Sequence, residues 1–275
     1  MRDEAEEQLR QPGSPTIIEL VGVPGAGKST LAALLAPETG AVPAEPGHRP
    51  VRPAAVLGTL RLPLGRSGDA VLRGLRDRLP PRASAIVASL LWRAPSIDPL
   101  AVLSRTHPEY LALVAHAPPP SEADASYVLK WRSWPVPTMA THLALRRVFA
   151  SGRSVLVEEG LVMRANTVCA GDPSLVDPYL RHQPVPDVLV VLHVDPATAL
   201  DRIGGRDKRT LLRHEGLSAD AVLEDLARSA RLVASAGPIL RERGVTVVDI
   251  DATEPPQRQQ ERVLEALAPE GRDAR

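Results

Sequence analysis

One eight-residue stretch limits the choice of fold more than any other part of the sequence. Residues 22–29, Gly-Val-Pro-Gly-Ala-Gly-Lys-Ser, match the pattern G-x-x-x-x-G-K-[ST] at every fixed position. The segment 16–21 before them is rich in β-branched residues, and a helical pattern with Leu31 and Leu35 follows and is expected to stop near Pro37. A strand, a glycine-rich turn and a helix in this order form a loop whose N–H groups face phosphates.

This loop predicts that the chain binds a nucleoside triphosphate. We expect Lys28 to reach the β- and γ-phosphates and Ser29 to supply a hydroxyl ligand to Mg²⁺. The sequence has only three lysines, so a lysine at this position is improbable by chance. The predicted nucleotide-binding residues are Gly22, Val23, Pro24, Gly25, Ala26, Gly27, Lys28, Ser29 and Thr30.

The rest of the chain alternates strand patterns with helical ones. Three further segments, 154–157, 187–194 and 245–250, are largely apolar, which is typical of parallel strands covered on both faces. A short strand is expected within 40–46, and helices are expected after Asp195, after Ser218 and over Pro256–Leu267. His193 is expected to be a hydrogen-bonded core residue. The alternation predicts an α/β fold, a doubly wound parallel sheet with helices on both faces.

The domain organisation follows from the same patterns. We expect residues 1–14 to form a flexible arm, 15–268 a single domain and 269–275 a flexible tail. From about 47 to 135, helical patterns are interrupted by proline-rich segments, which predicts a mostly helical insertion with long loops. A further helix is expected around 139–150.

Charge and composition exclude several classes of protein. The 275 residues include 33 basic and 33 acidic side chains, so no net positive field favours nucleic acid or an anionic membrane. No run approaches the ~18 apolar residues of a membrane span. The N-terminus does not resemble a signal peptide, and the single cysteine, Cys169, cannot form an internal disulfide. We expect a cytoplasmic protein without nucleic-acid or membrane partners.

Three further patterns follow the loop in sequence. Glu45-Pro46-Gly47 comes after the predicted second strand, and Glu158-Glu159-Gly160 ends a buried strand. The third pattern, residues 199–209, is rich in arginine and contains Arg202, Arg206 and Arg209. The guanine motif N-K-x-D of GTPases and the L-S-G-G-Q-like signature of ABC-type ATPases are both absent from the sequence.

In this order the patterns resemble those of the P-loop nucleoside and nucleotide kinases, the thymidylate kinase and deoxynucleoside kinase group. The resemblance spans about residues 16–268 and implies ATP and Mg²⁺ as cofactors. It also implies transfer of the γ-phosphoryl group to a hydroxyl or phosphate of a small molecule. Members of this group commonly dimerise, which is consistent with a homodimer, and the sequence leaves the oligomeric state open.

The resemblance also implies roles for individual residues. Glu45 would take the proton of the acceptor hydroxyl, and Glu158 would bind Mg²⁺ or help to position the acceptor. Arg202, Arg206 and Arg209 would form a lid over the triphosphate. Glu159 stands where the group has an arginine, which leaves Arg164 or another arginine to contact phosphate. Which of the three glutamates is the base stays open.

Two alternatives to a kinase also remain open at this stage. The acids after the 154–157 strand fit a P-loop ATPase that activates water, and a non-catalytic nucleotide-binding regulator would need only the loop and the arginines. The acceptor of a kinase could be a nucleoside, a nucleotide, a sugar or a natural product. Tyr127, Trp131 and Trp134 belong to an aromatic cluster that predicts either an acceptor pocket or a core within the insertion.

Overall fold

The computed structural model describes residues 16–44, 99–119, 128, 138–139, 142, 154–158, 160–205, 214 and 217–268. Within these residues, five parallel strands form one sheet. They are β1 (Thr16–Val21), β2 (Val42–Ala44), β3 (Ser154–Val157), β4 (Val188–His193) and β5 (Thr246–Asp251). The spatial order is β2-β3-β1-β4-β5. In this register Glu19 of β1 lies between Val157 of β3 and Leu189 of β4.

Helices cover both faces of the sheet. They are α1 (Lys28–Thr39), α2 (Pro99–Thr106), α3 (Pro108–His116), α4 (Leu161–Val168), α5 (Val176–His182), α6 (Pro196–Gly204), α7 (Ala219–Glu242) and α8 (Pro256–Leu267). On one face Ile18 and Leu20 pack with α1, α6 and α8. On the other face Val21 packs with residues of α4 and α5, with the C-terminal half of α7, and with Leu103 and Tyr110 of α2 and α3. The doubly wound parallel sheet predicted from the sequence is confirmed.

Helices α6 and α7 begin where the sequence predicted, directly after Asp195 and Ser218. The Asp195 carboxylate accepts a hydrogen bond from Thr198 N at 2.9 Å, and Ser218 Oγ accepts one from Ala221 N at 3.2 Å. Each side chain thus satisfies a backbone N–H group that the first turn of a helix leaves unpaired. Helix α1 continues for two residues after Pro37. A proline this close to the end of a helix removes only one hydrogen bond of the last turn, so the helix can include it.

His193 is not a core residue, contrary to the sequence expectation. It is the last residue of β4, its side chain is 45% exposed, and its Nε2 lies 2.7 Å from Asp249 Oδ1 on the edge strand β5. The apolar pattern of β4 ends at Leu192, and the next position has reached the edge of the sheet.

The described part of the insertion is helical. Helices α2 and α3 contribute buried side chains to the same core as α4 and α5. The predicted arm and tail lie outside the described residues, and of the helix expected around 139–150 only Met139 and His142 are described, both as helical. None of the helices in the described part of the chain is both long and apolar enough to span a membrane.

The cap at Ser218 can be tested by substitution. Ser218→Ala should lower the free energy of unfolding by about 1 kcal/mol, because Ala221 N loses its acceptor. Urea titration measures this loss. Ser218→Asp, which keeps an acceptor oxygen, serves as the control and should stay near wild type. Equal losses in the two variants would contradict a role for the cap.

Candidate functional site

The loop between β1 and α1 is built by close backbone approach. Gly25 has a φ of 89°, and a Cβ atom there would lie 2.6 Å from the carbonyl oxygen of Ala199 in α6. Ala26 N donates to Val23 O at 3.1 Å, which closes a turn within the loop. Only glycine fits at position 25, so this residue, which is not a fixed position of the pattern, allows the loop to pack closely against α6.

The start of α1 favours a negatively charged ligand. Leu31 N donates to Gly27 O at 3.0 Å, whereas the N–H groups that begin the helix have no acceptor within it. The first turn contains no acidic residue, and Ser29 and Thr30 are exposed there. Such a helix N-terminus directs N–H groups and a partial positive charge toward the loop opening.

Lys28 places its ammonium group on the loop itself. Its Nζ donates to Gly22 O at 2.7 Å and to Val23 O at 3.2 Å. The Lys28 side chain therefore reaches from the end of the loop back to the first two residues of the loop. A positive charge held here complements phosphate bound by the loop.

Ser29 and Glu158 meet although 129 positions separate them in sequence. Ser29 Oγ donates to Glu158 Oε2 at 2.6 Å. Ser29 belongs to the first turn of α1, and Glu158 follows the last residue of β3, the neighbour of β1. The chain leaves β1 and β3 over opposite faces of the sheet, and ligands of such sheets bind in the crevice between strands of this kind.

The chemistry of this pair fits Mg²⁺. A carboxylate and a hydroxyl are oxygen ligands of the kind that Mg²⁺ prefers, and the hydrogen bond between them shows that both could reach one ion. Among the described residues no group of three or more His, Cys, Asp or Glu side chains could hold a metal. One carboxylate and one hydroxyl suffice where substrate phosphates and water complete the coordination, as is usual for Mg²⁺.

Glu19 is an acid that the sequence analysis did not single out. Its side chain is 1% exposed in the central strand, and its Oε1 accepts hydrogen bonds from Val162 N at 2.9 Å and Met163 N at 3.4 Å. Burial raises the pKa of Glu19 to about 8, although these backbone donors and the charge of Arg164 act in the opposite direction. In the sequence, the one feature that could have pointed to Glu19 is that it is a charged residue inside an otherwise apolar strand.

Gly160 is the point at which the chain passes closest to Glu19. A Cβ atom at position 160 would lie 2.3 Å from Cδ of Glu19 and 2.4 Å from its Oε2. Since the φ of Gly160 is −81°, the contact with Glu19, and not the backbone conformation, excludes a side chain here.

The two described arginines among the predicted site residues contact other parts of the chain. Arg164 Nε donates to Thr138 Oγ1 at 3.1 Å. Arg202 Nη2 donates to the carbonyl oxygen of Ala252 at 3.1 Å, which joins α6 to the turn after β5. Helix α6 thus contacts the phosphate-binding loop through Ala199 and the β5 turn through Arg202.

A cavity of about 400 Å³ opens beside the loop. It is lined by Val23, by residues 192–195 after β4, by Ala230 and Val233 of α7, and by Asp251 and Thr253. Its volume lies within the usual range for small-molecule sites, roughly 300–1,000 Å³. The cavity is therefore large enough for a small organic group.

Several predicted site residues lie outside the described residues. They are Glu45, Glu159, Arg206, Arg209, Tyr127, Trp131 and Trp134. Tyr110 belongs to the same aromatic cluster and is described: it is fully buried and packs edge to face on Tyr179, with ring centroids 5.2 Å apart. For this member of the cluster, the interpretation as core is the right one.

Comparison with known proteins gives similarity of fold only. No protein-family model matches the chain, and no curated protein matches it significantly. Similar solved structures include deoxyadenosine kinase from M. mycoides with bound dATP, at 12% identity and a TM-score of 0.45. The same kinase with the products dCMP and dCDP has 13% identity and a TM-score of 0.45. Each comparison covers 91% of this chain and 98% of the other.

The raised pKa of Glu19 predicts that the free energy of unfolding of the wild-type protein, compared with that of Glu19→Gln, changes with pH. Between pH 4.5 and about 8 the folded protein keeps a proton on Glu19 that the unfolded chain releases, so stability falls as pH rises. The fall is at most about 1.4 kcal/mol per pH unit. Glu19→Gln lacks this titration, so its free energy of unfolding should rise relative to wild type from pH 5 to 8.

Urea unfolding of both proteins at several pH values measures this difference. Glu242→Gln, which alters an exposed acid paired with Arg181, is the control and should show no such trend. A constant difference between wild type and Glu19→Gln over pH 5–8 would contradict the raised pKa.

Proposed function

We propose that this protein is an ATP- and Mg²⁺-dependent kinase that transfers the γ-phosphoryl group to a small-molecule acceptor. The observation that supports this most directly is the 2.6 Å contact between Ser29 Oγ and Glu158 Oε2 at the opening of the loop. It joins the hydroxyl of the phosphate-binding pattern to an acid at the carboxyl end of the neighbouring strand. Phosphoryl transfer requires both beside the phosphates.

The donor nucleotide would bind along the loop and the start of α1. N–H groups of the loop would donate to phosphate oxygens, and Lys28 would exchange its contacts with Gly22 O and Val23 O for contacts with phosphate. Ser29 and Glu158 would hold Mg²⁺, which, when bound, neutralises charge on the phosphate oxygens. In the kinase group whose motifs the sequence resembles, the turn after the last strand usually contacts adenine through its backbone, and we propose the same role for the turn that Arg202 contacts.

Transfer would then depend on positioning and on charge. Arg202, together with Arg206 and Arg209, would close over the triphosphate and exclude water, which is the competing acceptor. Glu45, with Glu158 and Glu159 as the other candidates, would accept the proton of the attacking hydroxyl. Tyr127, Trp131 and Trp134 are the residues we propose for binding an acceptor ring.

A P-loop ATPase is the second candidate, and the same contact favours it. A carboxylate that follows a buried strand and accepts a hydrogen bond from the serine of the loop would also suit an enzyme that hydrolyses ATP. The two functions differ in what stimulates ADP release, namely an acceptor for the kinase and no acceptor for the ATPase. Tight ATP binding without turnover would instead indicate a regulator.

The kinase proposal predicts acceptor-dependent ADP release. Incubation with ATP, Mg²⁺ and a fractionated metabolite extract should release ADP and add one phosphoryl group to an extract component, as detected by mass spectrometry. ADP release that is independent of any extract fraction would contradict a kinase and support the ATPase.

Lys28 should be required for this turnover. Lys28→Ala should lower kcat at least about a hundredfold, because a charge that faces the transferred group is lost, while thermal unfolding stays close to wild type. Arg181→Ala removes an equal charge from an exposed ion pair with Asp177 and Glu242 and should leave kcat unchanged. Normal turnover by a folded Lys28→Ala protein would remove the loop from the mechanism.

The metal requirement should depend on both members of the serine–glutamate pair. Ser29→Ala and Glu158→Gln should each raise the Mg²⁺ concentration for half-maximal rate about tenfold or more, since each removes one ligand. Glu242→Gln is again a matched control and should leave that concentration unchanged. If Glu158→Gln lowers kcat but keeps the Mg²⁺ requirement, Glu158 acts on the acceptor instead.

A further inference from the structure

One peptide group near the site is held by two buried side chains. It joins Leu161 to Val162 at the start of α4. Val162 N donates to Glu19 Oε1 at 2.9 Å, and Tyr179 Oη donates to Leu161 O at 2.7 Å. The N–H and the C=O of the same peptide therefore each have a side-chain partner, and neither partner is exposed to solvent.

The two side chains come from different elements. Glu19 belongs to the central strand β1, and Tyr179 belongs to α5 on the face of the sheet that α4 also covers. Tyr179 has one hydroxyl proton and uses it on Leu161 O, so in the contact of 3.0 Å with Tyr110 Oη the proton comes from Tyr110. The Leu161–Val162 peptide is thus fixed to the sheet from one side and to α5 from the other.

Glu158 lies between two points that Glu19 fixes. Val157, the residue before Glu158, is the register partner of Glu19 in the sheet. Gly160, two residues after it, packs so closely on the Glu19 carboxyl that no Cβ fits between them. The described residues on both sides of Glu158, Val157 and Gly160, are therefore each fixed beside Glu19.

We propose that Glu19 and Tyr179 are positioning residues of the metal site: by holding the Leu161–Val162 peptide, they keep Glu158 within reach of Ser29. This inference rests on the proposed function, because it assigns a purpose to the position of a metal-binding carboxylate. Neither residue contacts the nucleotide or the metal. Loss of either contact weakens cation binding through a displaced Glu158.

The experiment measures binding of Mn²⁺ in place of Mg²⁺, with a non-hydrolysable ATP analogue present and the electron paramagnetic resonance signal of free Mn²⁺ as readout. Tyr179→Phe removes one hydroxyl and frees Leu161 O. Tyr110→Phe removes a hydroxyl from the same buried pair but leaves the bond to Leu161 O, so it is the matched control. Tyr179→Phe should lose more thermal stability than Tyr110→Phe, because it removes two hydrogen bonds and the control removes one. Only Tyr179→Phe should lose Mn²⁺ affinity, by about fivefold or more.

Variants on the Glu19 side provide the second test. Glu19→Gln keeps an acceptor oxygen and should bind Mn²⁺ nearly as wild type does, whereas Glu19→Leu should lose affinity. Gly160→Ala pushes the carboxyl away from Val162 N without replacing it, so it gives the same information if Glu19→Leu does not fold. The Gly160→Ala protein should also show a loss of about fivefold or more.

Distinct results overturn the two proposals. Equal Mn²⁺ affinity in wild type, Tyr179→Phe and Gly160→Ala would overturn the positioning role alone, and so would equal losses in Tyr110→Phe and Tyr179→Phe. Wild-type protein that binds no Mn²⁺ with the analogue present would overturn both proposals. Normal Mn²⁺ binding without acceptor-stimulated ADP release would overturn the kinase and leave the positioning result standing.

Discussion

The parallel direction of all five strands is the constraint on which the site depends. Since every strand ends at the same edge, the loop after β1 and the acid after β3 lie side by side whatever their separation in sequence. The chain then leaves these two neighbouring strands over opposite faces, which keeps the space between their ends open. Neither α1 nor α4 covers the crevice, because the two helices lie on opposite faces of the sheet.

Glu19 supplies a hydrogen-bond acceptor for a backbone N–H group that this arrangement buries. Helix α4 begins three residues after Glu158, and its first two residues, Leu161 and Val162, are buried. A leucine in the central strand would leave Val162 N without an acceptor, and a buried unpaired donor costs roughly 1–3 kcal/mol. The carboxyl supplies that acceptor at the expense of its own desolvation, which explains both its position and its raised pKa.

The fold was predictable because its signals are local or periodic. Apolar runs located the β-strands to within one or two residues, and Ser218 and Asp195 marked helix starts, since a cap needs only a side chain and an N–H three residues on. The prediction that His193 is a core residue was wrong, because an apolar run does not reveal at which residue a strand reaches the edge of the sheet.

The candidate site was predictable only in part. The loop pattern and the acids after β3 identified Ser29 and Glu158, and topology explains why they meet. Glu19 and Tyr179 carry no such pattern. The contact between Tyr179 and Leu161 depends on how α4 and α5 pack, and side-chain packing of that kind has no signature in the order of residues.

In the metal site that we propose, the protein would supply only two ligands, and this small number would make their positions depend on such packing. A metal cage made of many side chains tolerates an error in any one of them, whereas a site with one hydroxyl and one carboxylate does not. The two oxygens belong to separate elements, so their separation is set by how those elements are held. On one side Gly25 seats the loop against α6, and on the other Glu19 holds the chain that follows Glu158. In the proposed metal site, the separation of the two ligand oxygens would thus depend on contacts that the metal itself does not touch, and phosphate oxygens and water would complete the coordination.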